Sequence, residues 1–193
     1  MAPERPYHHG DLRRALIESA LAVLAEDGPA AISLRDLARR AGVSHAAPTH
    51  HFGDKRGLFT AIAVEGYDLL AAALVDEWDR SHDFAALGVT YVVFAVEHRG
   101  HFGVMFRPDL VDGDDPELVR AGNRARDQLY GPIGGSEGPG AADAAIAAWA
   151  LVHGLAQLWV NGAIDTTAAG ADVAALARRV TRHLDLGTAR DQD

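Results

Sequence analysis

From Gly42 to Lys55 the chain reads GVSHAAPTHHFGDK, a short stretch that holds several side chains able to contact a nucleic acid. His45 can donate to a guanine acceptor or a phosphate, and Ala46 and the Thr49 methyl can touch a thymine methyl. His50 shares their helical face, while His51 is expected either to reach a phosphate or to pack inward. Lys55 is the only lysine among eighteen cationic residues. It stands at the start of a helix, where free backbone N–H groups and the positive end of the dipole attract phosphate. Arg35, in the first turn of the preceding helix, is a further expected phosphate contact. Such contacts fix register on a duplex and carry no sequence information.

Four helices must position these groups. The first is expected over about Asp11–Glu26, with Leu12, Ala15, Leu16, Ala20, Val23 and Leu24 on one face. Gly28 reads as its left-handed cap, with Pro29 just beyond. The second starts at Ser33, an N-cap with Asp36 three residues on, and Ile32 and Leu37 take the hydrophobic-staple positions. It ends at Gly42. Ser44 is expected to cap the third helix, which makes Pro48 its fourth residue. There the missing N–H forfeits one bond, back to Ser44, and the ring faces inward opposite Val43. Asp54 caps a fourth helix running from Lys55 to about Arg80. Helix, glycine turn and short helix over 33–52 form a helix-turn-helix, whose second helix can enter a major groove.

The rest of the chain shows no strand-like alternation. Further helices are expected at about 83–98, 100–106, 115–130, 141–162 and 170–186, giving an all-α chain of about nine helices. "RPDLVDGDDP" and "GPIGGSEGPG" read as loops. There is no cysteine, which excludes disulfides and thiolate chemistry. The N-terminus has charges and no apolar core, so no secretory signal is expected. The net charge of −9 is unevenly spread. Residues 1–60 hold eight Lys and Arg against seven Asp and Glu, a net of +1, and the remainder carries −10.

Tyr91, Phe94, Phe102, Met105, Phe106, Trp149, His153 and Trp159 could line an apolar ligand cavity, or serve as ordinary core. Glu97, His98, His101 and His153 raise a metal hypothesis, but satisfied core histidines are the commoner use, and no metal is expected. No nucleophile elbow or glycine-rich phosphate loop is present, so neither an enzyme nor a cofactor is expected. The apolar run from Ala144 to Gly162 is broken by His153, Gly154 and Gln157. It reads as a buried helix and not as a membrane span.

The segment "AISLRDLARRAGVSHAAPTHHFGDKRGLFTAI" resembles the DNA-binding domain of the tetracycline-repressor (TetR) family of bacterial transcription regulators, over about residues 10–70. The resemblance implies an all-helical homodimer with a three-helix DNA-binding unit at 10–70. A divergent ligand-binding and dimerisation domain would occupy 71–187, with a tail at 188–193. It implies a phosphate role for Lys55. It also implies a four-helix dimer interface made by the apolar run, with Ala147, Ala150 and Gly154, and the last helix, with Val173, Leu176, Val180 and Leu184. Where the family most often has an aromatic, usually Tyr, this chain has Thr49, which implies a different operator preference. "EHRGHFGVMF" and "AAWALVHGLAQLWVNG" are similar to a subgroup with a Trp…His-Gly signature, here Trp149, His153 and Gly154. The implied function is a cytoplasmic repressor that binds palindromic double-stranded DNA and is released by a small apolar ligand. Two other readings are an orphan regulator with a filled pocket and a helical enzyme or binding protein without DNA function.

Overall fold

The computed structural model describes residues 9–131, 141–170 and 172–183. Among them every regular element is helical: α1 (His9–Glu26), α2 (Leu34–Arg40), α3 (Ala47–Phe52), α4 (Lys55–Ser81), α5 (Phe84–Glu97), α6 (Arg99–Met105), α7 (Pro116–Tyr130), α8 (Ala141–Val160), α9 (Thr166–Ala169) and α10 (Val173–Thr181). A 3-10 turn, Pro29–Ala31, joins α1 to α2. The all-α class expected from the sequence is the class observed. Residues 132–140 of the expected loop at 131–140, the interface residue Leu184 and the tail at 188–193 lie outside the described residues.

Local chemistry accounts for the ends of α2. Ser33 Oγ accepts from the Asp36 N–H at 3.4 Å, and Ile32 and Leu37 are both buried. At the other end Gly42 has φ 68°, its N–H bonds to the Arg39 carbonyl, and the Val43 N–H bonds to the Ala38 carbonyl. That pair of bonds is a Schellman motif, and it fixes the turn into α3. Gly28 also has a positive φ, 76°, but its ψ of −179° lies outside the left-handed helical region expected of a cap.

The start of α3 differs from the sequence expectation. Ser44 does not cap it. The helix begins at Ala47, with no side-chain cap, and the Ser44 carbonyl accepts from the Ala47 N–H in a tight preceding turn. Pro48 is therefore the second residue of the helix and not the fourth. At the fourth position its ring would have crowded the Ser44 carbonyl; at the second, its missing N–H is one that no helical partner would have met. Pro48 is buried, as an inward-facing ring requires.

The chain divides into two compact units. One comprises residues up to Gly66 together with Arg99–Ala121; the other comprises Tyr67–His98 together with residues from Gly122 onward. α4 and α7 each continue from one unit into the other. Within the first unit, α6 packs on α1 at Gly100, where a Cβ would lie 2.8 Å from the Leu21 carbonyl. α4 comes equally close to α6 at Gly66, where a Cβ would meet Met105 Sδ at 2.7 Å. Within the second unit, α5 packs against α8 and α10. Gly88 of α5 permits this approach, since a Cβ there would touch Thr181 and Val152. By length and composition alone, α4 and the stretch Ala142–Val160 could cross a membrane, a test that core helices also pass.

Candidate functional site

The segment around α3 has two faces. Ala47 and Pro48 are buried, and Ser44, His45, Ala46, Thr49 and His50 are exposed. The surface thus carries together the side chains that the sequence singled out for base contact. The His50 and His51 rings meet edge to face, with centroids 5.4 Å apart. His51 is half-buried and lines an open hollow of about 490 Å³ with Arg13, Asp54, Arg56, Asp112, Asp115 and Glu117. From Ala41 to Asp54 the sequence has no lysine or arginine.

Fixed cations flank this segment. Arg35 is exposed in the first turn of α2, and Arg39 pairs with Asp36 at 3.4 Å. Lys55 opens α4, with its Nζ 5.5 Å from the Phe59 ring centroid, so its stem is held along the helix. Asp54 caps this helix by accepting from the Gly57 N–H at 2.8 Å. That contact uses one of the N–H groups the sequence left available to phosphate. Arg13 of α1 lies over the Phe52 ring at 5.4 Å.

Three residues near this end were not singled out from the sequence. A Cβ on Gly57 would lie 2.0 Å from the Phe52 carbonyl oxygen, so glycine is what lets α4 start directly behind α3. Arg56 Nε donates to the Val111 carbonyl at 2.9 Å. Thr60 Oγ1 donates to the Arg56 carbonyl and accepts from the Asp112 N–H, both at 2.9 Å. The connection from α6 to α7 is thereby fastened to the first two turns of α4. A glycine in the first turn of a well-capped helix was the one available signal; partners 52 and 55 residues away leave none.

The eight expected cavity residues are split between the units, with Trp159 in the second. Phe102, Met105 and Phe106 belong to the first, where Phe102 and Phe106 pack edge to face at 5.4 Å and Met105 abuts Gly66. Tyr91, Phe94, Trp149 and His153 belong to the second. There the Tyr91 hydroxyl lies 2.8 Å from His153 Nδ1, and Trp149 Nε1 donates to the same hydroxyl at 3.4 Å. Burial pushes the Tyr91 phenol well above its usual range and lowers His153, so both are neutral at physiological pH. The two share one hydrogen bond, whose direction follows the imidazole tautomer. Burial also pushes Tyr67 up to about 12. Phe94 stacks on His98 at 4.6 Å, and His101 Nε2 lies 3.2 Å from Glu65 Oε1. Among the described residues no three His, Asp or Glu side chains gather as a metal site would require. The apolar hollow beside Trp149, lined also by Phe84, Gly88, Leu129, Ala145 and Val152, has a volume of about 10 Å³. That is room for about one water.

On α8, Ile146, Ala150 and Leu158 are exposed and Gly154 half-buried, at four-residue steps along one side. Beyond its chain neighbours and the backbone of its own helix, no described atom lies within 4 Å of the place a Gly154 Cβ would take. On α10, Val173, Leu176 and Val180 are half-buried.

Two family models match. Residues 16–62 match the bacterial regulatory proteins of the tetR family, and residues 84–184 match the tetracyclin repressor-like C-terminal domain. The chain is 28% identical over 158 residues to the uncharacterized HTH-type transcriptional regulator Rv0681 of Mycobacterium tuberculosis, covering 79% of this chain and 72% of that one. Other curated transcriptional regulators match over 49 to 57 residues, so the chain spans 24% to 30% of their lengths. Among solved structures, a protein with unknown function from Rhodococcus sp. RHA1 is 37% identical, with a TM-score of 0.77 over 94% of this chain and 97% of that one. LfrR from Mycobacterium smegmatis, solved in complex with proflavine, shares the fold at 18% identity, with a TM-score of 0.63 over 91% of this chain and 94% of that one.

Proposed function

The chain belongs to the tetracycline-repressor family of bacterial regulatory proteins, and from that premise we propose a cytoplasmic, ligand-responsive repressor that binds palindromic double-stranded DNA as a homodimer. One observation carries the reading: a short helix that buries Ala47 and Pro48 and exposes Thr49 and His50, with His45 and Ala46 exposed in the turn before it and Arg35 and Lys55 on either side. Two such helices, related by a two-fold axis, would enter successive major grooves about one helical turn apart. Arg35, His51 and Lys55 would hold the phosphates, and the outer face of α3 would meet the bases. Ser44 would contribute from the turn before α3.

The symmetry mate would pack on the α8 side bearing Ile146, Ala150, Gly154 and Leu158, together with α10. Small residues there allow close helix approach. The domains would follow the sequence, 10–70 for DNA and 71–187 for ligand and dimer. In the second, Trp149, His153 and Gly154 would be the signature of the Trp…His-Gly subgroup, with Tyr91 and Phe94 beside them. A small apolar ligand would release DNA only through its different affinity for the two states of the dimer. No enzymatic step, metal or cofactor enters this proposal. A gel shift on the promoter region beside the protein's own gene tests it. The expected result is a salt-sensitive, sequence-specific shift, and its absence would sink the reading.

The small hollow beside Trp149 favours a second reading, an orphan regulator on the same fold with a filled core. A thermal-shift screen of apolar compounds separates the two. A ligand that both raises the melting temperature and releases DNA excludes the orphan.

A further inference from the structure

The DNA-reading segment carries no fixed positive charge. Between Ala41 and Asp54 there is no lysine or arginine, yet the stretch holds three of the chain's ten histidines. His45, in the turn before α3, and His50, on α3, are exposed, whereas Ala47 and Pro48 are buried. Any cationic charge on the outer face of α3 must therefore come from protons. Imidazole gains and loses its charge within the physiological range, and a major groove lies between two rows of phosphates whose field favours the charged form. We propose that DNA binding by this protein is coupled to proton uptake at His45 and His50, so that affinity for its operator rises as the pH falls. The inference rests on the DNA-binding reading above.

The elements packed against α3 carry charges of both signs. α2 brings Arg35, Arg39 and Arg40, with Asp36 engaged by Arg39, and α1 brings Arg13 over Phe52. α4 brings Lys55, Arg56 and Asp54, the last engaged as a helix cap. His51 is different. It shares its hollow with Asp112, Asp115 and Glu117, carboxylates able to hold an imidazolium without DNA, so its proton is less tied to binding.

A neutral histidine donating to guanine would give no pH dependence, so the two modes can be told apart. The full-length protein is titrated against a duplex selected by it from a random pool at pH 7, with affinities measured at pH 6 and pH 8 over a range of salt. Binding should be at least about tenfold tighter at pH 6, and the slope of log affinity against log salt should steepen by about 0.9 for each added charge that meets a phosphate. His45→Gln and His50→Gln should each reduce the pH dependence, and together bring it below about twofold. Lys55→Ala should weaken binding at both pH values and leave the pH dependence intact. Specific binding that varies less than about twofold across this range, or a pH profile that survives both histidine substitutions, overturns the proposal. Absence of specific binding at every pH would instead remove the DNA-binding reading, and this inference with it.

Discussion

The α3 segment and α8 each present one exposed face, and the two faces are chemical opposites. The first offers His45, Thr49 and His50; the second offers Ile146 and Leu158, 58% and 51% exposed, with Ala150 between them. A polar face is stable bare in water. An apolar one leaves about 25 cal/mol unrealised for every Å² that a partner could cover. The contrast teaches that exposure alone does not identify a site, whereas exposure with side-chain chemistry points to the kind of partner. Charge sorts the same way. The +1 of residues 1–60 and the −10 of the remainder would keep the second part away from a polyanion and leave the first free to approach it.

Several substitutions would break or sharpen that contrast. The largest effect is expected at Gly57, where an alanine Cβ would sit 2.0 Å from the Phe52 carbonyl. Gly57→Ala should cost at least about 2 kcal/mol in denaturant unfolding and lower DNA affinity more than about tenfold. An unchanged unfolding midpoint would mean that the junction between α3 and α4 yields. Leu158→Asp should come next, converting dimer to monomer by light scattering and abolishing the gel shift with α3 untouched. A dimer that persists would move the interface away from α8. Thr49→Tyr should lower affinity for the duplex selected by the parent protein about tenfold, the scale of one base contact. The same variant should keep the parent's melting temperature.

Tyr91→Phe should cost about 1 kcal/mol of stability by removing its bond to His153. His153 has a pKa below its ordinary 6.5 because burial disfavours its charge. The unfolded chain therefore binds the proton first, and stability falls as the pH drops below 6.5. Melting curves above and below that pH should show the loss, and it should be smaller in His153→Gln. Pro48→Leu should do least, under about 1 kcal/mol, because the second residue of a helix needs no intrahelical partner for its N–H. Loss of folding in that variant would refute the placement of Pro48 in the first turn.

Much of the helix-turn-helix was legible because its signals are local. Ser33 with Asp36, Ile32 with Leu37, and Gly42 each act within five residues of the chain, and periodicity marked the helices. The start of α3 was misplaced because Ser44 is a preferred cap type. The rule that favours serine does not weigh a proline ring against the carbonyl four residues back. Long-range packing left no such trace. Nothing in the sequence of 99–121 states that it clusters with α1 and the first part of α4. That arrangement depends on close approaches at Gly66 and Gly100 and on Arg56 meeting Val111. The split of the aromatic set between two units has the same origin, since an aromatic residue at helical spacing does not say which core it fills.

The single lysine has a practical consequence. Because every other cation is arginine, the chain has one side-chain amine, at the head of α4. An amine-selective label would therefore mark only this side chain and the α-amine of the wild-type protein. A lysine-specific protease has one cleavage point, directly behind the segment that carries the histidines, and protection of that point by added DNA would be a footprint read from the protein side.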